Sequence, residues 1–275
     1  MSAREALLES LRQALGAGTV APSLAGAALC LAALDRPGLA LAHYRDHVAG
    51  LCDEVAAAAA GRGPGAAVEV LTEVLVRRHG YRGDEDTYSS PDNANLMSVI
   101  DRRRGIPVSL SVLWLEAARA RGWQAAGINF PGHFLIRIEN RLGRAMVDPY
   151  GGGRVLAIED LRALLKSVAG LDAELQAAHY AAVDDRAILI RLLNNLRLRA
   201  QETQDPRRAL AAAELITELR PEDAQFWLEL AVHYLALDEI GQALRALDSC
   251  MRRCRQESLR SRALSLMAQL RRRLN

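Results

Sequence analysis

The segment that most constrains the fold is a run at 107–121 that has helix-forming composition and is apolar on most sides. Pro107 suits the first position of a helix, where its missing N–H would have no partner. Gly122 suits the position just after the end. The apolar members are Val108, Leu110, Val112, Leu113, Trp114, Leu115, Ala117 and Ala118. A helix with so little polar surface has to be buried, so we expect other elements to surround it.

Short strand-like segments follow this helix. They contain β-branched or aromatic residues and are separated by turn signals, of which Pro131-Gly132 is the clearest. This pattern predicts a small antiparallel sheet packed against the buried helix. Asp148 then opens a glycine-rich loop, and helices resume near Glu159. The three predicted strands are 126–130, 133–139 and 144–147.

The remaining chain is predicted to be helical. Residues 3–78 show helical spacing of leucines and long alanine-rich runs, and 80–92 has turn composition. In the last third, Ala209-Leu210 and Ala243-Leu244 repeat at an offset of 34. A period of 34 with two helices per unit is typical of tetratricopeptide repeats. We predict units at 187–220 and 221–254 with a capping helix at 256–273, and the alternative is an ordinary pair of helical hairpins.

The composition excludes several broad classes. The chain of 275 residues is 50% hydrophobic and 25% charged, with a net charge of +2, so no strong attraction to nucleic acid or to a membrane is expected. No stretch approaches the roughly 20 apolar residues of a membrane span. The arginines at 252–273 are interpreted as a solvated basic face, because no aromatic residues are interleaved among them.

The cysteines and the N-terminus indicate the compartment. Cys30, Cys52, Cys250 and Cys254 are scattered, which favours reduced thiols in a cytoplasmic protein. The N-terminus is an amphipathic helix start with acidic residues, unlike a signal peptide.

The middle of the chain, from 107 to 148, contains two of the three residues that a thiol hydrolase uses but not its cysteine. Such enzymes keep a cysteine at the start of a buried helix, a histidine on a nearby strand and a carboxylate on the next strand. His133 and Asp148 fit the second and third roles, and 107–109 is the helix start. No cysteine lies between Cys52 and Cys250. Ser109 is the nearest hydroxyl that could replace it.

Three motifs in this part of the chain closely resemble the bacterial SirB-type transglutaminase-like family. They are NANLMSVIDRRRGIPVSLSVLWLEAARARGW, FPGHFLIRI and MVDPYGGG, and the approach HGYRGDEDTYSSPDNANL also fits. The resemblance implies a transglutaminase-like core followed by tetratricopeptide repeats. It also implies the superfamily's Cys–His–Asp triad, with His133 and Asp148 at their positions. The implied cysteine position falls near Pro107 or Val108, so the thiol is missing there.

These observations leave three roles for His133. It could tie two strands together through Asp148, bind a ligand in a residual cleft, or act in catalysis with Ser109 or water. The leading hypothesis is a non-catalytic protein-interaction or regulatory protein that binds a protein or peptide. The alternative is a hydrolase or acyltransferase that uses Ser109 with a His133–Asp148 dyad. A third possibility is that the repeat tail only completes the core.

Several other residues are candidates for binding. Arg104, within the run Arg102 to Arg104, could contribute to an anion site, or one arginine could pair with Asp92 or Asp148. Asn93 fits a helix N-cap. Trp227 and Tyr234 are candidate binding residues of the repeats.

No cofactor or metal site is predicted. His43 and His47 are four residues apart, but no third metal ligand is evident. Gly151 to Gly153 lacks the order of a phosphate-binding loop. The oligomeric state cannot be derived from these patterns.

The predicted fold class is therefore α+β and mostly helical. A papain- or transglutaminase-like core with a small antiparallel sheet precedes a C-terminal tail of helical repeats. The predicted domains are a helical N-terminal region at 1–78, the core at 79–182 and the repeats at 187–275.

Overall fold

A computed structural model describes residues 2–15, 23–140 and 143–274. The chain divides into two compact units, with the division between Leu192 and Leu193. The helices that lie wholly in the first unit are α1 (Ala3–Ala14), α2 (Leu24–Asp35), α3 (Leu41–Ala58), α4 (Ala67–Leu71), α5 (Leu96–Arg102), α6 (Pro107–Ala120) and α7 (Ile158–Ala169). A π-helix at Thr72–Arg78 continues α4.

The described residues of the first unit form two sheets. A two-stranded parallel pair joins β1 (Arg82–Gly83) to β2 (Arg104–Gly105). The second sheet is antiparallel, in the order β6-β5-β4-β3-β7. Its strands are β3 (Gln124–Ile128), β4 (Leu135–Asn140), β5 (Gly143–Asp148), β6 (Arg154–Leu156) and β7 (Ala182–Val183). The mostly helical α+β class with a small antiparallel sheet is thereby confirmed.

The predicted buried helix is α6. It packs against α2, α3, α5 and the strands β3 and β4, and Trp114 on it is 1% exposed. Pro107 occupies its first turn, and Gly122 follows its end with a φ of +82°, a value that glycine adopts without strain. The sequence signals for both ends of this helix are confirmed.

Two details of the sequence interpretation were wrong. His133 does not lie on a strand but in the turn that precedes β4, and only Asp148 is a strand residue. Asn93 does not cap a helix. Asn95 caps α5 instead, and its side chain accepts hydrogen bonds from the Met97 and Ser98 amides at 3.1 and 3.2 Å.

The described residues of the second unit form helices joined by short turns. The helix α8 (Asp185–Glu202) spans the division between the units, and four more follow: α9 (Pro206–Leu219), α10 (Ala224–Ala236), α11 (Ile240–Arg253) and α12 (Glu257–Leu274). Asp205 and Asp223 cap α9 and α10 by accepting backbone N–H groups. The core of this unit is made of small and branched apolar side chains such as Ala243, Leu247 and Ala263.

Among the described helices, none combines the length and the apolar content that crossing a membrane requires.

Candidate functional site

The histidine and the aspartate singled out in the sequence form a direct contact. His133 Nε2 lies 2.9 Å from Asp148 Oδ1, and the two side chains are 16% and 17% exposed. The turn before β4 and the end of β5 bring them together, because these strands are paired with Ile136 opposite Val147. When Nε2 donates to the ionised carboxylate, Nδ1 is the acceptor atom of the neutral ring. The pair therefore has the arrangement of a base and its orienting carboxylate.

Tyr150, in the glycine-rich loop after β5, completes this cluster. Its amide donates to Asp148 Oδ1 at 3.0 Å, and its hydroxyl donates to the backbone oxygen of Asp84 at 3.1 Å. Its ring stands edge-on to those of His133 and Tyr88, with centroids 6.2 and 6.0 Å away. The ring also fills the space over Gly83, where an added Cβ would lie 2.6 Å from it.

The environment of Tyr150 is acidic. Burial is the largest cause that raises the pKa of its hydroxyl, and the charges of Glu85, Asp84 and Asp148 raise it further. The tyrosine therefore remains protonated at neutral pH and acts as a donor. Sequence reasoning missed Tyr150, although the loop Asp-Pro-Tyr-Gly-Gly-Gly that carries it was noted.

The start of α6, where a thiol hydrolase would hold its nucleophile, is closed. Every residue from Gly105 to Leu110 is buried. The Ser109 hydroxyl lies 2.8 Å from the Asn93 carbonyl oxygen and 3.1 Å from that of Ile106, and it accepts the Ile106 N–H at 3.0 Å. Gly105 packs so closely on this hydroxyl that an added Cβ would lie 2.6 Å from it. Ser109 thus fastens the turn before α6.

The nearest cysteine in sequence does not supply the missing thiol. Cys52 on α3 lines a cavity of about 450 Å³ together with Glu116. Glu116 is nine residues after Pro107, which is about 13.5 Å along a helix. Burial, followed by the charges of Glu116 and Asp53, raises the pKa of the Cys52 thiol to about 11. This thiol lies away from the helix start and is protonated at neutral pH.

Arg102 joins a polar network around the buried side chains of Asp84 and Asn93. Its guanidinium donates to Asp84 at 2.6 Å and to the Asn93 side-chain oxygen at 2.9 Å. Asp84 is 2% exposed and also accepts the Thr87 amide and hydroxyl at 2.9 and 2.6 Å. Burial by itself would raise the pKa of Asp84, but the hydrogen bonds from Thr87, Arg102 and Asn93 hold it well below its ordinary range. One arginine of the run 102–104 thus pairs with a carboxylate, and the partner of Arg102 is Asp84, which the sequence analysis did not name.

Arg103 points to a different cluster because its backbone is left-handed, with a φ of +56°. Its guanidinium lies over the Tyr81 ring at 4.7 Å and donates to the Tyr81 hydroxyl and to His47 Nε2, the latter at 2.7 Å. Burial, followed by the Arg103 charge, lowers the pKa of His47 to about 4. Arg104 is half-buried and donates to the Arg103 carbonyl oxygen at 3.3 Å.

Trp227 and Tyr234 both lie on α10 and make intramolecular hydrogen bonds. Trp227 Nε1 donates to the Pro221 carbonyl oxygen at 2.8 Å, and the Tyr234 hydroxyl lies 2.8 Å from Glu214 Oε1 on α9. Within the described ranges, no group of three or more His, Cys, Asp and Glu side chains is arranged to hold a metal ion.

Comparison with known proteins places this core in a family. A model of the transglutaminase-like superfamily matches residues 42–194. A UPF0162 protein of Pseudomonas aeruginosa is 34% identical over 224 residues, which cover 80% of this chain and 78% of that protein. The chain belongs to the transglutaminase-like superfamily and to the UPF0162 family.

Two further relatives show how far the similarity extends. A UPF0162 protein of Xylella fastidiosa strain Temecula1 is 35% identical over 180 residues, which cover 64% of this chain and 64% of that protein. Protein SirB1 of Salmonella typhimurium is 24% identical over 193 residues, which cover 70% of this chain and 71% of that protein. The resemblance predicted from the motifs is thus confirmed at the level of the superfamily, and the similarity to SirB1 is distant. The superfamily match includes α6, His133 and Asp148 and ends near the start of the second unit.

Proposed function

We propose that this member of the transglutaminase-like superfamily is a non-catalytic protein-interaction or regulatory protein. The observation that carries the proposal is the buried start of α6, which offers no thiol and whose candidate nucleophile, the Ser109 hydroxyl, is hydrogen-bonded internally. A thiol hydrolase needs a thiolate that the substrate can reach. Here the Ile106 and Val108 side chains are 1% and 2% exposed.

The retained His133–Asp148 pair has a structural use in this proposal. It joins the turn before β4 to the end of β5, and Asp148 also holds the first residues of the following loop through the Tyr150 amide. Partly buried polar groups with several partners are costly to leave unpaired, which is a sufficient reason to keep the pair without catalysis.

The alternative of a serine hydrolase has weaker support. To attack a substrate, the Ser109 hydroxyl would have to leave the Asn93 and Ile106 carbonyl oxygens and become exposed from a position that is 0% exposed. A hydroxyl also needs stronger activation by its base than a thiol does.

The proposed partner is a protein or peptide, bound without a cofactor or metal. We interpret the second unit as the tetratricopeptide-type tail, with units at 187–220 and 221–254. This division is supported by the helix pairs α8–α9 and α10–α11 and by α12, which follows them. A cytoplasmic location is proposed because all four cysteines are unpaired in the structure.

Two measurements on the full chain test the proposal. They are labelling with a fluorophosphonate probe and assays of ester and amide hydrolysis. The variants are S109A, H133A and, as the matched control, S111A, whose hydroxyl donates to the Pro107 carbonyl oxygen at 2.7 Å on the same helix. We expect no labelling and no turnover that depends on Ser109 or His133. Labelling that disappears in S109A and H133A but remains in S111A would establish the hydrolase instead.

A further inference from the structure

The second unit contains an open pocket of about 980 Å³ where α10 begins, α11 ends and α12 begins. Two stretches of chain line it. One, at 221–225, includes Glu222 and Asp223, and the other, at 252–256, includes Arg252, Arg253 and Arg255. The pocket lies at the ends of these helices, and neither of the candidate binding residues Trp227 and Tyr234 lines it.

Two of the three arginines of this pocket, Arg252 and Arg253, contact neutral groups. Ser249, at the end of α11, accepts from Arg252 through its hydroxyl at 2.9 Å and from Arg253 through its carbonyl oxygen at 3.0 Å. Arg253 also lies over the Trp227 ring at 4.9 Å. Trp227 in turn donates to the Pro221 carbonyl oxygen, so it contacts one residue from each of the two stretches that line the pocket.

Among the residues that the structure describes, no carboxylate forms an ion pair with these cations. Among the ion pairs formed between described residues, none includes Arg252, Arg253 or Arg255. The sequence around them is also basic, since 251–275 contains eight arginines and one acidic residue, Glu257. Because the whole chain carries only +2, this positive charge is a local feature.

We propose that this pocket binds an acidic peptide segment of a partner protein, with side-chain carboxylates held by Arg252, Arg253 and Arg255. The planar guanidinium group donates two parallel hydrogen bonds to a carboxylate, and it is favoured wherever carboxylates are recognised. This inference rests on the proposed function, since it names the partner class and one surface of a non-catalytic binding protein.

The charge pattern favours a peptide over a nucleic acid. Glu222 and Asp223 line the same pocket as the arginines, so the phosphates of a nucleic-acid backbone would meet carboxylates beside the cations. A peptide can place its own acidic side chains on the arginines and its backbone N–H groups or a basic side chain near the carboxylates. Nucleic-acid sites also use exposed aromatic rings for stacking, whereas Trp227 is covered on one face by Arg253.

Fluorescence anisotropy with the full chain tests the site. The probes are a short fluorescein-labelled glutamate-rich peptide, the same peptide with glutamine at each glutamate, and a labelled single-stranded oligonucleotide. The test variant is R252Q/R255Q, and the matched control is R260Q/R262Q, which removes the same charge from exposed positions outside the pocket.

We expect the glutamate peptide to bind more tightly than the glutamine peptide. R252Q/R255Q should weaken it about tenfold, and R260Q/R262Q should change it by less than about twofold. Equal weakening by both variants, or tighter binding of the oligonucleotide, would show a general basic face and overturn the proposal.

Cys254 allows the location to be read directly. It lines the pocket and is half-buried, with its thiol 3.1 Å from the Gln256 carbonyl oxygen. A glutamate peptide that carries a bromoacetyl group should alkylate Cys254 faster than the glutamine peptide with the same group does, as read by peptide mass mapping. Equal alkylation of Cys254 by the two peptides would overturn the site while leaving the proposed function standing. Turnover that depends on His133 would overturn the proposed function without changing the binding result.

Discussion

Near the start of α6 the polar groups form hydrogen bonds with one another, whereas at the end of α11 two arginines are exposed to solvent. The Ser109 hydroxyl contacts two backbone carbonyl oxygens and one amide. Asp84, the residue after β1, accepts hydrogen bonds from Thr87 and Arg102. The guanidinium groups of Arg252 and Arg255, by contrast, lie on exposed residues that line a pocket. Both regions are rich in polar side chains.

The difference shows why composition is a poor guide to a binding site. A buried group whose hydrogen bonds are satisfied within the chain stabilises the fold and has no capacity left for a ligand. An exposed charge without a partner contributes little to stability, but it remains available for a carboxylate. We therefore expect substitutions in the first region to lower stability and those in the second to affect binding.

Replacing Asp84 with alanine should have the largest effect. The change removes the acceptor of the Thr87 amide and one acceptor of the Arg102 guanidinium, at a position that is 2% exposed. We expect the free energy of unfolding to fall by about 3 kcal/mol in urea titrations, because hydrogen bonds to a charged group contribute about 1.5 to 3 kcal/mol each. The matched control E85A, at an exposed neighbour, should change it by less than about 0.5 kcal/mol. A loss for D84A as small as that of the control would show that the closed network is not needed.

A second prediction concerns pH. The pKa of His47 is lowered from its ordinary 6.5 to about 4 by burial and by Arg103, so at pH values between these the unfolded chain binds a proton that the folded chain does not. The free energy of unfolding should therefore decrease as the pH falls through this window, by about 2 kcal/mol for a partly exposed ring. Urea titrations at several pH values measure the slope.

The controls for this slope are H47Q and H43Q. H47Q keeps an acceptor for Arg103 but cannot be protonated, so the slope should flatten. His43 lies on the same helix and is exposed, so H43Q should retain the slope. An unchanged slope in H47Q would assign the pH dependence to other groups.

A third, smaller effect is expected for S109A. Losing the hydroxyl removes the acceptor of the Ile106 amide and the donor to Asn93, which should cost about 1 kcal/mol of unfolding free energy. The fold should remain, because the apolar contacts of α6 are unchanged. Thermal and urea unfolding measure the loss. A gain in stability would mean that the hydroxyl is kept for another purpose.

The smallest effect should come from the pocket. R252Q/R255Q is expected to change the free energy of unfolding by less than about 0.5 kcal/mol, because these exposed side chains have no ion pair among the described residues. A large loss of stability in this variant would contradict the contrast between the two regions.

The sequence predicted the elements that depend on neighbouring residues. Pro107 and Gly122 located both ends of α6, and the three predicted strands overlap β3, β4 and β5. It placed the helix cap at Asn93, two residues too early, because an asparagine suits an N-cap at either position. The structure uses Asn95 for the cap and Asn93 as a partner of Arg102.

Contacts between distant residues were not predictable in this way. Tyr150 and Asp84 are 66 positions apart, and the pair β1 and β2 has only two residues in each strand. Two-residue strands carry no periodicity that could reveal them. The arginines at 252–273 were interpreted as one solvated face, and only the packing of α10, α11 and α12 separates those that line a pocket from those that do not.

The sequence by itself determined that the core lacks a thiol, since no cysteine lies between Cys52 and Cys250. It also determined the buried helix and the three longer strands that follow it, because periodicity and turn residues act over a few positions. Only the tertiary structure decided that Ser109 is buried and hydrogen-bonded within the chain, and that Arg252 and Arg255 are exposed at a pocket. Whether a polar group is satisfied depends on partners far away in the chain, and folding alone brings those partners within hydrogen-bond distance.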